Sequence, residues 1–348
     1  MKHFLIVGGG LAGISVAIRL LEAGQQITII DDGKNASSII AAGMVNPMVF
    51  RRMNKSWRLD EMTDEAIVFY KNLEIKFKAQ FYNPLVIRRL FASEEERLNW
   101  NKRLQNPDYI RYLSPLTEED EKFSKAINTF GTGRVKTSFW INTTSFIHSA
   151  HQFFIHNNQL KVEDFDWESF SAESKTYKGI SFDSVIFCTG YRNFENKLFD
   201  FLPVNPTKGQ VLTVHSNEFP IEESLNRKVF ILPVGDEKFR IGATYEWHQT
   251  DLNPTEEARN ELVEKLNSLT KMPYQIVDQR VGIRPTISDR RPLLGEHPNY
   301  KNIFIFNGLG TKGYMIAPLL SKELSDLILH QKPVNKEVNP NRFNKNEN

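Results

Sequence analysis

The sequence predicts a two-lobed α/β protein: a dinucleotide-binding lobe of parallel strands and helices, joined to an α+β lobe built on an antiparallel sheet. Three observations carry this. Gly8-Gly9-Gly10-Leu11-Ala12-Gly13 stands between an apolar strand and a helix, the setting in which G-x-G-x-x-G marks a dinucleotide site. Three strand-like runs separated by turn residues lie between Gly209 and Gly242, as in an antiparallel sheet. The 348 residues also exceed the roughly 250–300 at which a single core stops growing.

Phe4–Val7 reads as a buried strand, Leu11–Ala23 as a helix closed by Gly24, and Gln26–Ile30 as a second strand ending in Asp31-Asp32. Gly8 permits the tight turn, Gly10 lets backbone N–H groups approach a pyrophosphate, and Gly13 brings the helix close to the strand. Asp31 is placed to accept hydrogen bonds from ribose hydroxyls, and no base follows within two residues to favour a 2′-phosphate. Residues 51–142 read as an insertion of amphipathic helices (Asp60–Phe77, Ser93–Leu104) and short strands. Asp183–Cys188 is a short buried strand followed by Thr189-Gly190. Gln210–Val214, Val229–Pro233 and Phe239–Ile241 form the antiparallel sheet, and Glu257–Leu269 is a helix with a capping residue, a proline and acids before it. Strand Ile303–Phe306, the glycine-rich turn Asn307–Gly313 and helix Ala317–Leu329 close the compact part. The expected division is 1–48, 143–204 and 281–335 for the dinucleotide lobe, 49–142 and 205–280 for the second, and 336–348 as a flexible tail.

Composition sets limits on partners. Lys plus Arg (44) nearly balance Asp plus Glu (42) for a net charge of +2, so nucleic acid is not the expected partner. The single cysteine, Cys188, excludes a disulfide within the chain and any multi-cysteine metal site. His148 and His151 share a helix face with no third ligand in sight, and no metal is expected. No run reaches the roughly 20 apolar residues of a membrane span, and a cytoplasmic location is expected.

Further motifs follow the fingerprint in order: Ala36-Ser-Ser-Ile-Ile-Ala-Ala-Gly-Met44, Val185–Gly190, Pro206-Thr-Lys-Gly-Gln210, Ile241–Thr244, Gly282-Ile-Arg-Pro285 with Asp289 and Pro292–Gly295, and Asn307–Gly313. In this order they resemble the D-amino-acid oxidase superfamily, glycine and sarcosine oxidases above all. The resemblance implies a Rossmann-like FAD-binding domain of the glutathione-reductase type, with FAD bound non-covalently. Leu11 and Ala12 would join the fingerprint glycines at the cofactor. Ser38, Ala42, Gly43 and Met44 would lie near its ribityl and diphosphate, Thr189 and Gly190 beneath it, and Gly308, Gly310, Thr311, Lys312 and Gly313 at the flavin ring. Cys188 sits in a buried strand, so no thioether link is expected.

For substrate, the resemblance implies that Arg284 grips a carboxylate with its two-point fork. The alternative is an internal ion pair with Asp289. Phe230 stands where relatives place a tyrosine; Tyr245 is the candidate replacement, and Trp247 would share its face. Among Arg51, Arg52, Lys55 and Arg58, an inward-turned Arg52 would meet a second anionic group. The implied reaction is oxidation of the Cα–N bond of a small amino acid or secondary amine by hydride transfer to flavin N5, with oxygen or another acceptor taking the electrons. Two alternatives stay open. One is 2-hydroxy-acid oxidation, which needs a base such as histidine. The other is action on a carboxymethylaminomethyl group in tRNA, which the nine basic against five acidic residues of 49–92 permit.

Overall fold

The structure, a computed structural model, describes residues 1–34 and 36–344. Strand His3–Val7 is the centre of a six-stranded sheet. Its order runs Leu293–Glu296, Ile303–Asn307, Ser184–Phe187, His3–Val7, Gln26–Asp31 and Leu160–Val162, all parallel except the first. Side chains alternate across a strand, and both faces of this one are covered. Phe4 and Ile6 enter a core shared with helices Leu11–Glu22 and Gly313–His330, while Leu5 and Val7 enter a second core with Phe187 and Phe199.

The second sheet has nine strands among the described residues. Its long member Val204–His215 pairs along one side with Gln275–Ile287 and along the other with Lys238–Gly242 and Glu246–Trp247. The expected antiparallel order holds for Val204–His215, Lys238–Gly242 and Val229–Gly235. One pair, Glu223–Arg227 beside Tyr82–Leu90, is parallel. Tyr82–Leu90 and Thr132–Ile141 carry the segment 51–142 into this sheet.

Local signals set most boundaries. Ser93 caps Glu94–Leu104 by accepting the Glu96 N–H at 3.2 Å, and Thr255 caps Glu256–Asn267 through the Ala258 N–H at 3.3 Å. The last helix starts at Gly313, four residues before the expected Ala317, because the glycine turn leads straight into it. The expected tail is a correction as far as Asn344. Val338 is fully buried and its carbonyl accepts the Leu294 N–H at 2.8 Å, while Arg342 pairs with Asp289 at 2.8 Å. Residues 345–348 lie outside the described residues. No described helix is long and apolar enough to cross a membrane.

Candidate functional site

A cavity of about 830 Å³ runs from the glycine fingerprint to the face of the nine-stranded sheet. Gly8, Gly10, Leu11, Ala12, Asp31 and Asp32 line its first stretch. Ser38, Ala42, Gly43 and Met44 follow with Thr189 and Gly190, and Gly310, Thr311, Lys312 and Gly313 line the far side. Gly13 and Gly308 stand behind the lining. A Cβ on Gly13 would be 1.8 Å from the Gly8 carbonyl oxygen, so strand and helix meet only through glycine.

Two helices point their N-termini at this cavity. Leu11–Glu22 has Gly10 as its cap and Gly313–His330 has Lys312, neither cap supplies a side chain to the helix, and neither first turn carries an acid. The Leu11 N–H donates to Ser38 Oγ at 3.0 Å, and among the described residues no carboxylate neutralises either positive end, which suits a diphosphate at one and the electron-rich edge of a ring at the other. Asp31, buried at 7 % exposure, accepts the Gly9 N–H at 2.5 Å and the Gly33 N–H at 2.9 Å, so it ties down the fingerprint while lining the cavity. Asp32 accepts from Arg192 at 2.5 Å. Burial pushes its carboxyl up, but the Lys34 amide and the Arg192 charge together hold it below the usual range. This donor set fits the adenosine and diphosphate of a dinucleotide. His151, set aside in the sequence as one of a helix-face pair, donates from Nε2 to the Gly9 carbonyl at 2.7 Å and braces the turn. Cys188 is buried and burial pushes its thiol pKa far up, away from nucleophilic behaviour.

Arg284 dominates the other end. It projects from Gln275–Ile287 across Gly209, its guanidinium 4.9 Å from the centre of the Tyr245 ring and its Nη1 3.3 Å from the Thr244 carbonyl oxygen. The alternative ion pair with Asp289 does not form: Asp289 binds Arg342. Among the described residues no carboxylate lies within ion-pair distance of Arg284, and burial pulls its pKa down. Met44, Val211, Phe230, Ala243 and Leu252 give this end apolar walls. The acids that line the cavity (Asp31, Asp32, Glu163, Asp164 and Glu195) belong to the fingerprint end, where Arg192 links three of them to itself.

Lys312 lines the cavity and donates from Nζ to the Asn46 carbonyl at 3.0 Å and to Ser56 Oγ. Burial lowers its pKa to about 8. Arg52 is a correction. It is exposed on the single turn Phe50–Arg52 and does not line the cavity, because Phe50 turns inward instead, under Arg89. The Arg51 side chain lies outside the described residues. Lys55 and Arg58 are taken up by Asp60 and by Glu61 and Glu323. Sequence reasoning missed the roles of Gly209 and His151, and also Arg240, which donates to the Ala41 carbonyl at 2.9 Å and ties the nine-stranded sheet to the cavity-lining segment 37–44. The one advance signal was Gly209, inside the Pro206–Gln210 motif.

A family model described as FAD dependent oxidoreductase (DAO) matches residues 3–327. The tRNA 5-methylaminomethyl-2-thiouridine biosynthesis bifunctional protein MnmC of Idiomarina loihiensis is 24% identical over 344 residues, covering 93% of this chain and 55% of that protein. The bifunctional protein ThiO/ThiG of Synechocystis is 24% identical over 376 residues, covering 97% of this chain and 54% of that protein. The chain thus spans about half the length of these relatives. Among solved structures, glycine oxidase from Geobacillus kaustophilus superposes with a TM-score of 0.80 at 18% identity, covering 96% of each chain. Iminodiacetate oxidase from Chelativorans does so with 0.79 at 20% identity, covering 97% of this chain and 98% of that one. At these identities the structures show a shared fold. With a tRNA-modifying protein among the relatives, the expectation that nucleic acid is not a partner has no support.

Proposed function

This chain belongs to the DAO family of FAD-dependent oxidoreductases, and from that premise we propose that it oxidises the Cα–N bond of an amine bearing a carboxylate. The observation that carries the reading is Arg284, a guanidinium on the cavity with no carboxylate of its own among the described residues. A planar fork binds a carboxylate through two parallel charge-assisted hydrogen bonds, fixing the direction of the α-carbon. Pro285 restricts the Arg284 backbone to extended conformations, and the strand pairing of Arg284 with Thr207 holds it in place. The apolar walls of Met44, Val211 and Phe230 exclude water around the bound amine.

No acid lines this end of the cavity among the described residues, so an ammonium group would find no counter-charge and the amine binds neutral. The fingerprint, Asp31 and the two helix ends would hold FAD, which would supply the hydride acceptor. Arg284 orients the substrate, and Lys312, anchored by Asn46 and Ser56, adds positive charge on the cofactor side. Buried, unreactive Cys188 supports non-covalent attachment, which acid precipitation of the holoprotein tests by releasing all flavin. Oxidation of a 2-hydroxy acid is less well served, because no described histidine lines the cavity to take a hydroxyl proton.

Anaerobic titration of the holoprotein with glycine, sarcosine, D-amino acids, N-carboxymethyl amines and lactate tests the reading. Bleaching of the flavin band by carboxylated amines and not by lactate is expected. Bleaching by lactate alone, or by none of them, overturns it.

A further inference from the structure

We propose that the C-terminal segment Val334–Phe343 is a positioning strap: through Glu337 and Trp57 it fixes the hairpin that seats Lys312, so a cation on the cavity wall is held in place from the surface of the molecule. The segment lies beyond residues 3–327, the part that the family model matches. The inference concerns the seat of one side chain and stands or falls independently of which bond the protein oxidises.

Lys312 is seated across a chain crossing and not by its own helix. Its Nζ donates to the Asn46 carbonyl at 3.0 Å and to Ser56 Oγ, and these two residues flank the hairpin of strands Met48–Val49 and Asn54–Lys55. Ser56 is buried and closes the hairpin, giving both its N–H and its hydroxyl to the Pro47 carbonyl at 3.0 Å. Two-residue strands do not hold a hairpin in water unaided. An outside hold is needed, and Trp57, next in the chain, supplies it.

Trp57 Nε1 donates to Glu337 Oε2 at 2.7 Å, while Glu337 Oε1 accepts from Arg291 Nε at 3.1 Å. The Arg291 guanidinium stands 4.8 Å from the Trp57 ring centre and that of Arg58 stands 5.6 Å away. A charge-assisted hydrogen bond and two cations on its ring give the indole a fixed direction. Glu337 is fixed in turn, because the strap is anchored beyond it. Val338 is fully buried and its carbonyl accepts the Leu294 N–H at 2.8 Å. Pro340 packs so closely on Gly295 that a Cβ there would stand 2.7 Å from Pro340 Cδ. Arg342 holds Asp289 at 2.8 Å. The strap therefore ties the edge strand Leu293–Glu296 to Trp57, Trp57 to the hairpin, and the hairpin to Lys312.

The titration of Lys312 reports whether that line of contacts reaches it. Seated, the amine is buried and its pKa lies at about 8; released into water it returns toward 10.5. The charged groups on the elements packed against it are engaged elsewhere: Lys55 with Asp60, Arg58 with Glu61 and Glu323, and Arg291 with Glu337, while Arg52 is exposed. Among the described residues no carboxylate pairs with Lys312, so a change in its midpoint reads its burial.

Competitive acetylation of the full-length protein, stripped of FAD so that the cofactor does not shield the amine, gives this midpoint when labelling at Lys312 is followed by mass spectrometry against pH. Trp57→Phe removes the indole donor and Glu337→Ala its acceptor, and each should raise the midpoint by about one pH unit or more, a tenfold loss of neutral amine at a given pH. Glu337→Gln keeps an oxygen for Trp57 and should stay near the wild-type midpoint. Thr255→Ala loses the cap of helix Glu256–Asn267, which lies outside this line of contacts; it should lower the melting temperature and leave the midpoint in place. A wild-type midpoint in Trp57→Phe or in Glu337→Ala overturns the inference, since the strap then does not act through the indole. An equal rise in Thr255→Ala also overturns it, because general loosening would then account for the effect. No turnover enters the measurement, so failure of every carboxylated amine to bleach the flavin would discard the proposed reaction and leave the strap.

Discussion

A Cβ placed on Gly209 would stand 2.2 Å from Nη2 and 2.3 Å from Nη1 of Arg284. Both atoms that would hold a carboxylate therefore rest on a floor that only glycine leaves free. The register makes this contact, since Thr207 faces Arg284 and Gly209 faces Gly282 on the neighbouring strand, so the Arg284 side chain crosses diagonally over Gly209. Gly209→Ala should displace the guanidinium while leaving the fingerprint intact. A loss of about ten- to hundredfold in kcat/KM is expected, from charge-assisted hydrogen bonds of roughly 1.5–3 kcal/mol, with flavin content unchanged. Normal kinetics in that variant would show that the guanidinium does not work from this position.

Arg284→Lys tests the fork rather than the floor. Lysine keeps the charge and loses the two-point geometry, so anaerobic reduction by carboxylated amines should slow by at least tenfold. The apoprotein should melt within a few degrees of wild type, since the losses are the Tyr245 contact and the hydrogen bond to the Thr244 carbonyl, roughly 1–2 kcal/mol together, and no described acid is left unpaired. Early melting with near-normal reduction would make Arg284 a structural residue and remove the carboxylate reading.

The contrast between Asp289 and His151 shows what the sequence could and could not say. The fingerprint, its flanking strands and the antiparallel runs were legible because glycine placement and apolar periodicity are local. Asp289 lies five residues from Arg284 and is the natural candidate partner, but Arg342, 53 residues further on, takes it. That same contact orders a segment whose asparagine-rich composition reads as a tail. His151 braces Gly9 across 142 residues, and nothing in its local spacing points there. Arg52 stands in a run of like charges, which on this surface is a solvated turn with paired neighbours rather than a contact to a ligand.

Asp31→Ala should weaken FAD binding about ten- to hundredfold, the value of one lost hydrogen bond to a charged acceptor. It should also destabilise the apoprotein, because Asp31 accepts from Gly9 and Gly33 whether or not a ligand is present. Equilibrium dialysis of FAD and apoprotein melting measure the two effects. Unchanged FAD affinity with lowered stability would confine Asp31 to holding the turn and shift ribose recognition to Asp32.

Lys312 gives the pH dependence. Burial lowers its pKa from 10.5 to about 8, so between those values the unfolded chain binds a proton that the folded chain has released. Stability therefore rises with pH across that window. Below about pH 8 the ammonium is charged in both states and the full cost of burying it is present; above about 10.5 that cost is gone. The change is at most about 3.5 kcal/mol, because each tenfold drop in proton affinity is worth about 1.4 kcal/mol, and it is smaller where solvent reaches the side chain. Lys312→Met removes the titration and also leaves the Asn46 carbonyl and Ser56 hydroxyl without their donor. That second loss is the same at every pH, so the informative quantity is the stability of wild-type apoprotein minus that of Lys312→Met, followed by denaturant unfolding from pH 7 to 10.5. The difference should move steadily in favour of the wild type above about pH 8. A flat difference in stability would place the Lys312 ammonium in water.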